Sequence, residues 1–302
     1  MLSLKEPKSR EVVPRKASLA LSVIVPVRNE AHNLARCLES LADVGEIFVI
    51  DSQSIDATTE IARDYGAQVV QFHYRGGWPK KRQWALNSLP FGYDWVLLLD
   101  ADEALTPELA REIASAIQNP RFDGYYIGLE MAFLGVHLRH CGASFQKLSL
   151  FRVGKGRFEC RFQDQDSSMC DMEVHEHVMV EGRTTSLKHP LLHRNTESLS
   201  RYIQKHNQYS NWEAALAIAG DSPDALTPSL FGSQAQRRRW LRKHFFALPG
   251  SPLAFFLYKY FLRLGFLDGI PGFIYCAMQG IQFFQIKAKT YELRITESRL
   301  RT

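Results

Sequence analysis

Three carboxylates fall within four residues at Asp100, Asp102 and Glu103, directly after the apolar run Val96-Leu97-Leu98-Leu99. Like charges this close repel unless a cation or a set of donors holds them. Oxygen ligands in this spacing suit a hard divalent ion such as Mg²⁺ or Mn²⁺. An ion held there could stabilise the negative charge that gathers on a departing phosphate group. A plainer reading competes. Strands end at the surface, and Thr106-Pro107-Glu108 reads as a helix start, with Thr106 as N-cap and Pro107 at the first helical position. Acidic residues ahead of a helix also suit its positive end. Asp-x-Asp alone does not decide between the two.

The elements around the motif favour a site. Asp100 follows its apolar run directly, which puts it at the lip of a sheet, and in open α/β sheets the ligand crevice lies beyond the carboxyl ends of the strands. Upstream, "LSVIVPV" reads as a buried strand, and "LARCLESLADV" has helical apolar spacing. "EIFVIDSQS" is a second strand ending at Asp51, and "SIDATTEIARDYGA" the helix after it. "QVVQFHY", the helix in "GWPKKRQWALNSL", the strand "YDWVLLLD" and the helix "PELAREIASAIQ" continue the alternation. Strands alternating with helices imply right-handed βαβ units and a parallel sheet up to about residue 120. The first strand is followed by neither GxGxxG nor GxxxxGK[ST], which excludes the dinucleotide and P-loop signatures. Residues 121–195 read as short strands with Gly turns, and "TESLSRYIQKHNQYSNWEAALAIAG" as a helix capped by Gly220.

Composition sets the outer bounds. The 302 residues are 45% hydrophobic and 23% charged, which is globular. The net charge of +5 is concentrated in Arg237-Arg238-Arg239 and Arg242-Lys243, which suggests a local anionic contact rather than nucleic-acid binding. Five scattered cysteines form no CxxC pair and read as reduced thiols of a cytosolic chain. Cys160, Cys170, His175 and His177 match no common zinc spacing. Residues 1–19 are charged throughout, lack an apolar signal region and read as a flexible lead-in. A catalytic domain over 20–220 is followed by a polar, basic linker over 221–240. Residues 241–302 are dense in Phe, Leu, Ile and Tyr, but their longest charge-free run, Gly269 to Ile286, contains Gly, Pro and Gln and is marginal against the ~20 residues of a span. Aromatic helices flanked by Lys and Arg suit an in-plane membrane anchor. Packing on the protein's own core, or in a homodimer, is the alternative.

In order and spacing, "SVIVPVRNEAHNLARCLESL", "FVIDSQSIDATTEIA", "KKRQWALN" and "WVLLLDADE" together resemble the family 2 glycosyltransferases over roughly residues 20–195. "VHEHV", "LLHRNTESLSRYIQKHNQYS" and "GFLDGIPGF" resemble the bacterial subgroup of lipopolysaccharide-core and exopolysaccharide glucosyltransferases. The resemblance implies a GT-A fold, a Rossmann-like α/β domain with a parallel or mixed sheet that binds a nucleotide-sugar. It implies transfer with inversion, with UDP-glucose as the subgroup's donor. The acceptor would be a lipid-linked saccharide at the cytoplasmic face of the bacterial inner membrane.

Residue by residue, the resemblance puts Pro26, Asn29 and Glu30 against the nucleoside and Asp51 on the base. Asp56 stands where many relatives differ, so it serves either as a ligand or as a helix cap. Of Lys80, Lys81 and Arg82, Arg82 fits a diphosphate-facing role best and Lys81 next, with a solvated basic turn as the fate of at least one. Asp102 would bind the Mg²⁺ or Mn²⁺ that bridges the donor phosphates, Asp100 the ribose or the metal shell, and His193 could be a further metal ligand. Glu176 in "VHEHV" is the candidate base that takes the proton of the attacking hydroxyl, with Asp171 or Glu173 as substitutes. Trp78, Trp84, Tyr202 and Trp212 could stack on sugars, although core packing is the default for aromatics. Two other readings stay open. A sugar nucleotidyltransferase shares the α/β layer, but "VPVRNEAHN" has no glycine for its usual loop. A degenerate transferase acting as a scaffold is the non-catalytic alternative.

Overall fold

In the first half of the chain, strands and helices alternate. β1 (Leu19–Val27) leads to α1 (Ala31–Glu39), β2 (Val44–Asp51) to α2 (Thr58–Asp64), and β3 (Gln68–Gln71) to α3 (Lys81–Ser88). β4 (Trp95–Leu98) and the short β5 (Glu103–Ala104) precede α4 (Pro107–Ala116). The computed structural model describes residues 19–142, 146–161, 176–194, 198–220, 222–223, 225–232 and 234–300. β1 is buried along nearly its whole length, as a central parallel strand must be when both faces are covered. Leu21, Val23 and Val25 point to one layer with Leu34 and Leu38 of α1, while Ile24 points to the other with Phe48, Ile50 and Val96. Thr106 caps α4 as expected, its hydroxyl accepting from the Leu109 amide at 3.1 Å.

The sheet is mixed. Antiparallel additions come from β6 (Gly124–Phe133), β7 (Val136–His137) and β8 (Gln146–Arg152), and β9 (Gly156–Phe158) pairs separately with β10 (Val178–Val180). β11 (Thr184–Ser186) and β12 (Leu191–Arg194) complete the set. The main strand order is β3-β2-β1-β4-β8-β6-β12-β5, with β3, β2, β1 and β4 mutually parallel and β8 antiparallel to both its neighbours. The order reverses between β1 and β4, so their following loops splay apart above the sheet and open a crevice there.

Helices close the chain: α5 (Leu199–Ala219), α6 (Gln234–Ala247), α7 (Ser251–Leu257) and α8 (Gly269–Leu300), with a π turn at Tyr258–Leu262 and a 3-10 turn at Gly265–Asp268. The basic run thus lies in α6, which starts inside the stretch read as linker. The tail packs on the sheet domain through Phe133, Leu138, Cys141, Tyr202, Tyr275 and Cys276. "GFLDGIPGF" makes that contact. A Cβ on Gly265 would meet Cys276 Sγ at 2.8 Å and Cys141 Cβ at 2.9 Å, so only glycine fits. Asp268 accepts from the amides of Arg139, His140 and Cys141 at 3.0, 3.0 and 2.9 Å.

Candidate active site

The crevice beyond β1 and β4 is a cleft of about 760 Å³. The end of β1 brings Pro26 to it, the loop after β1 Asn29 and Glu30, and the loop after β4 Asp100 and Asp102. Lys81, Arg82 and His193 also line it. The β1 loop is fixed to the β2 loop. Asn29 sits at φ 54°, a left-handed position that asparagine tolerates, and its side-chain oxygen accepts from the Ile55 amide at 2.9 Å. Glu30 carries a raised pKa because burial and the nearby Asp102 charge outweigh its hydrogen bond from Asn33.

Asp100 is gripped from two sides. Arg82 Nη2 lies 2.5 Å from its Oδ1, and Lys147 Nζ of β8 lies 3.0 Å from its Oδ2. Burial alone would raise its pKa, but Lys147 and then Arg82 hold it well below the usual carboxylate range. Glu103 is buried and bonded to Lys147 Nζ at 2.6 Å, and its other oxygen accepts from the Asp100 amide at 2.9 Å. Glu103 therefore shapes the acidic loop from below. Arg36 anchors the same loop by donating to the Asp102 carbonyl at 2.9 Å. This cation-and-donor network is what lets three acids stand together.

Asp102 faces His193, with Oδ2 to Nε2 at 3.2 Å. Burial opposes both charges, but the pair lowers the Asp102 pKa and raises that of His193 to about 9. Asp102 and His193 are the candidate ligands for a hard divalent ion, which would have to displace the proton that His193 now shares with Asp102. Among the described residues no group of three or more His, Cys, Asp or Glu could hold a metal, so the other ligands would come from substrate and water. Cys170 and His175 lie outside the described residues, and His177 bonds instead to Glu159 at 2.8 Å.

Other predicted residues stand apart from the cleft. Asp51 is 1% exposed and does not line it; its carboxylate accepts from Ser54 Oγ at 2.5 Å and Gln71 Nε2 at 2.8 Å. Asp56 ties the starts of α1 and α2 together, accepting from the amides of Ala31 at 3.2 Å and Thr58 at 3.1 Å. Glu176 is buried, and its Oε1 lies 3.3 Å from Lys80 Nζ. It does not line the cleft. Lys80 is fully buried between Glu176 and the ring of Trp212, 5.2 Å from the ring centroid, so it is no solvated turn. Lys81, which does line the cleft, is buried too and donates to the Val27 carbonyl at 3.0 Å. Trp78 and Trp84 pack in the core, whereas Tyr202 reaches the cleft. Asp171 and Glu173 lie outside the described residues.

Sequence reasoning missed Lys147, Arg201, Lys205, Tyr209, Tyr275 and Gln279. All but Lys147 line the cleft. Arg201 Nη2 lies 3.8 Å from Glu30 Oε1 and donates to the Asn29 carbonyl at 3.3 Å. Its signal was its distance of one helical turn from Lys205 on one face of α5. The site thus presents carboxylates backed by cations on one side and a basic, aromatic helix face on the other. Such a surface can hold a diphosphate through a shared cation and basic side chains.

The profile of glycosyl transferase family 2 matches residues 22–175. The chain belongs to glycosyl transferase family 2. Its mixed sheet flanked by helices is the GT-A type of fold, and the coarse activity is glycosyl transfer. A lipopolysaccharide core biosynthesis glycosyltransferase, LpsC of Rhizobium meliloti, is 26% identical to this family 2 chain over 290 residues, covering 93% of this chain and 95% of that one. An uncharacterised glycosyltransferase of Rickettsia conorii is 26% identical over 259 residues, covering 84% and 83%. Among solved structures, glucosyl-3-phosphoglycerate synthase of Mycobacterium tuberculosis, in complex with Mn²⁺ and UDP, aligns at 22% identity with a TM-score of 0.32. That alignment covers 42% of this chain and 50% of the other.

Proposed function

We propose that this family 2 chain moves a hexosyl group from a UDP-sugar to a hydroxyl of a lipid-linked saccharide, with inversion, during lipopolysaccharide or exopolysaccharide synthesis. The observation that carries the reading is the cleft at the β1–β4 reversal, where Asp100 and Asp102 meet Arg82, Lys81, Arg201 and Lys205. Carboxylates for a cation and bases for phosphates are both needed to hold a nucleoside diphosphate. Asp102 and His193 would hold Mg²⁺ or Mn²⁺, which stabilises negative charge on the leaving diphosphate when bound. Pro26, Asn29 and Glu30 form the nucleoside wall. Arg82 orients Asp100 and adds positive charge near the phosphates, while Arg201 and Lys205 face them from α5.

Asp51 is proposed to set the base-binding loop rather than to touch the base through a free oxygen. The base that deprotonates the acceptor is proposed to be Glu176. Its support is the "VHEHV" motif and a buried carboxylate matched to a buried ammonium; a place in the cleft wall is what it lacks. The lipid-linked acceptor puts the enzyme at the inner-membrane surface, with the C-terminal helices against lipid.

Calorimetry with UDP, GDP and CDP, each with and without Mn²⁺, tests the donor half. Mn²⁺-dependent binding of UDP, lost in Asp102→Ala, is the expected result. Equal binding without the ion, or in the variant, would remove the metal from Asp102. No binding of any of the three would favour the scaffold reading.

A further inference from the structure

The two ends of the cleft differ in chemistry. The end at Asp100 and Asp102 is ionic. The other is built where α8 packs on α5, from Tyr275 and Gln279 of α8, Tyr202 and Tyr209 of α5, and Phe133 of β6. Phe133 meets Tyr202 and Tyr275 edge-on, with ring centroids 5.3 and 5.5 Å away. Gln279 lines the cleft, and its Nε2 donates to Tyr202 Oη at 3.1 Å. Tyr209 stands at the junction, its hydroxyl pushed up to about 12 by burial and by the charges of Asp102 and Asp100. A diphosphate gains little from aromatic rings. A pyranose gains much, because its C–H faces pack on rings while its rim of hydroxyls needs amide and phenol partners.

The same helix carries a second face. Ile270, Phe273, Ile281 and Phe284 of α8 are 76%, 47%, 46% and 63% exposed. Phe261 and Leu262, in the turn before it, are 53% and 77% exposed. From Ser251 to Tyr291 the only acid is Asp268, and it is buried against the 139–141 amides. Lys259 donates to the Cys141 carbonyl, Lys287 to the Leu248 carbonyl and Lys289 to Asn207 of α5, so they add positive charge beside the apolar face rather than on it. A broad apolar face with no exposed acid and a basic surround suits an anionic lipid surface. One helix therefore has the aromatic end of the cleft on one side and a lipid-compatible face on the other.

We infer that the α5–α8 end of the cleft is the acceptor subsite, taking a saccharide ring of the lipid-linked acceptor while the lipid lies along the exposed face of α8. The inference rests on the transferase reading above and adds where the acceptor sits and which residues select it. Gln279 is the selecting residue: its amide can bond a ring hydroxyl while Tyr202 keeps it oriented.

Octyl β-D-glucopyranoside, kept below its micelle concentration, is the probe, a hexose on an alkyl chain. Saturation-transfer difference NMR on the full chain reads ring and alkyl protons separately. The wild type should saturate both. Gln279→Ala should cut ring saturation by about fivefold, the effect of one hydrogen bond, and leave the alkyl signal. Phe284→Asp should do the reverse. Calorimetry with UDP and Mn²⁺ on the same samples reports folding and the donor end, with affinity close to wild type in both variants. A wild type that binds UDP but shows no ring saturation overturns the subsite, as does Gln279→Ala with full ring saturation. A wild type that binds no UDP overturns the transferase reading itself, and the subsite with it.

Discussion

Lys147 holds the acidic loop in place. Its Nζ bridges Asp100 at 3.0 Å and buried Glu103 at 2.6 Å, so removing the charge leaves Glu103 buried opposite another acid. Lys147→Met keeps most of the stem and deletes the ammonium. Urea unfolding should show a loss of about 3 kcal/mol, the range for one partner taken from a buried pair. Metal-dependent UDP affinity should fall too, because the loop that carries Asp102 loses its support. Glu176 calls for a different comparison, since it serves either the reaction or only Lys80. Glu176→Gln as a lost base lowers transfer by about 100-fold or more at unchanged UDP affinity, and this is the expected outcome. If Glu176 serves only to balance Lys80, the variant instead unfolds at lower temperature and its folded fraction turns over at the wild-type rate. Arg239 shows the same economy of charge. Read as part of a basic run making a local anionic contact, it is 8% exposed and clamps Glu159 through both nitrogens, at 2.6 and 2.5 Å.

The 3-10 turn before α8 locks the tail to the sheet domain through Asp268. Burial pushes its carboxyl up, but the amides of Cys141 and His140 and the His140 ring outweigh that and lower its pKa to about 2. A carboxylate depressed in the folded state stabilises it above the unfolded pKa, and that stabilisation is lost as the pH falls through about 2. The shift from 3.8 is worth about 2 kcal/mol. Asp268→Asn should therefore cost about that much at pH 7, and its gap to the wild type should close as the pH falls toward 2 in urea titrations. Elements of this kind were legible in part. The βαβ alternation, the strand-end acids and the Gly220 cap follow from local periodicity, and Asp100, Asp102 and Arg82, singled out from the sequence, line one cleft. The start of α6 was not legible, because a run of arginines reads as solvated until Glu159 and Glu213 are seen beside Arg239 and Arg242. Lys147 and Gln279 were hidden for another reason: each reaches the site through a long-range pairing, β8 on β4 and α8 on α5, that no local pattern encodes.

Taken whole, the molecule has a charged cleft on one side of α8 and an exposed apolar face on the other. No single helix among the described residues is long and apolar enough to cross a membrane; the pair Ser251–Leu262 and Gly265–Thr296, bent by 73°, passes that test only together. A 73° bend is a shape helices lying on a surface can take, and Phe261 and Leu262 at the turn are 53% and 77% exposed. Deleting the tail would not test this, because α8 also lines the cleft and packs on α5. Point charges on the exposed face do. The wild type should co-sediment with vesicles of phosphatidylglycerol and phosphatidylethanolamine, and less so in high salt, since basic residues contribute. Leu262→Asp should weaken binding by about tenfold or more, the worth of one leucine withdrawn from an apolar phase. UDP affinity should not move, because Leu262 faces away from the cleft. A wild type that stays in the supernatant, and elutes as a dimer that Leu262→Asp splits, would assign the face to a second copy of the chain instead.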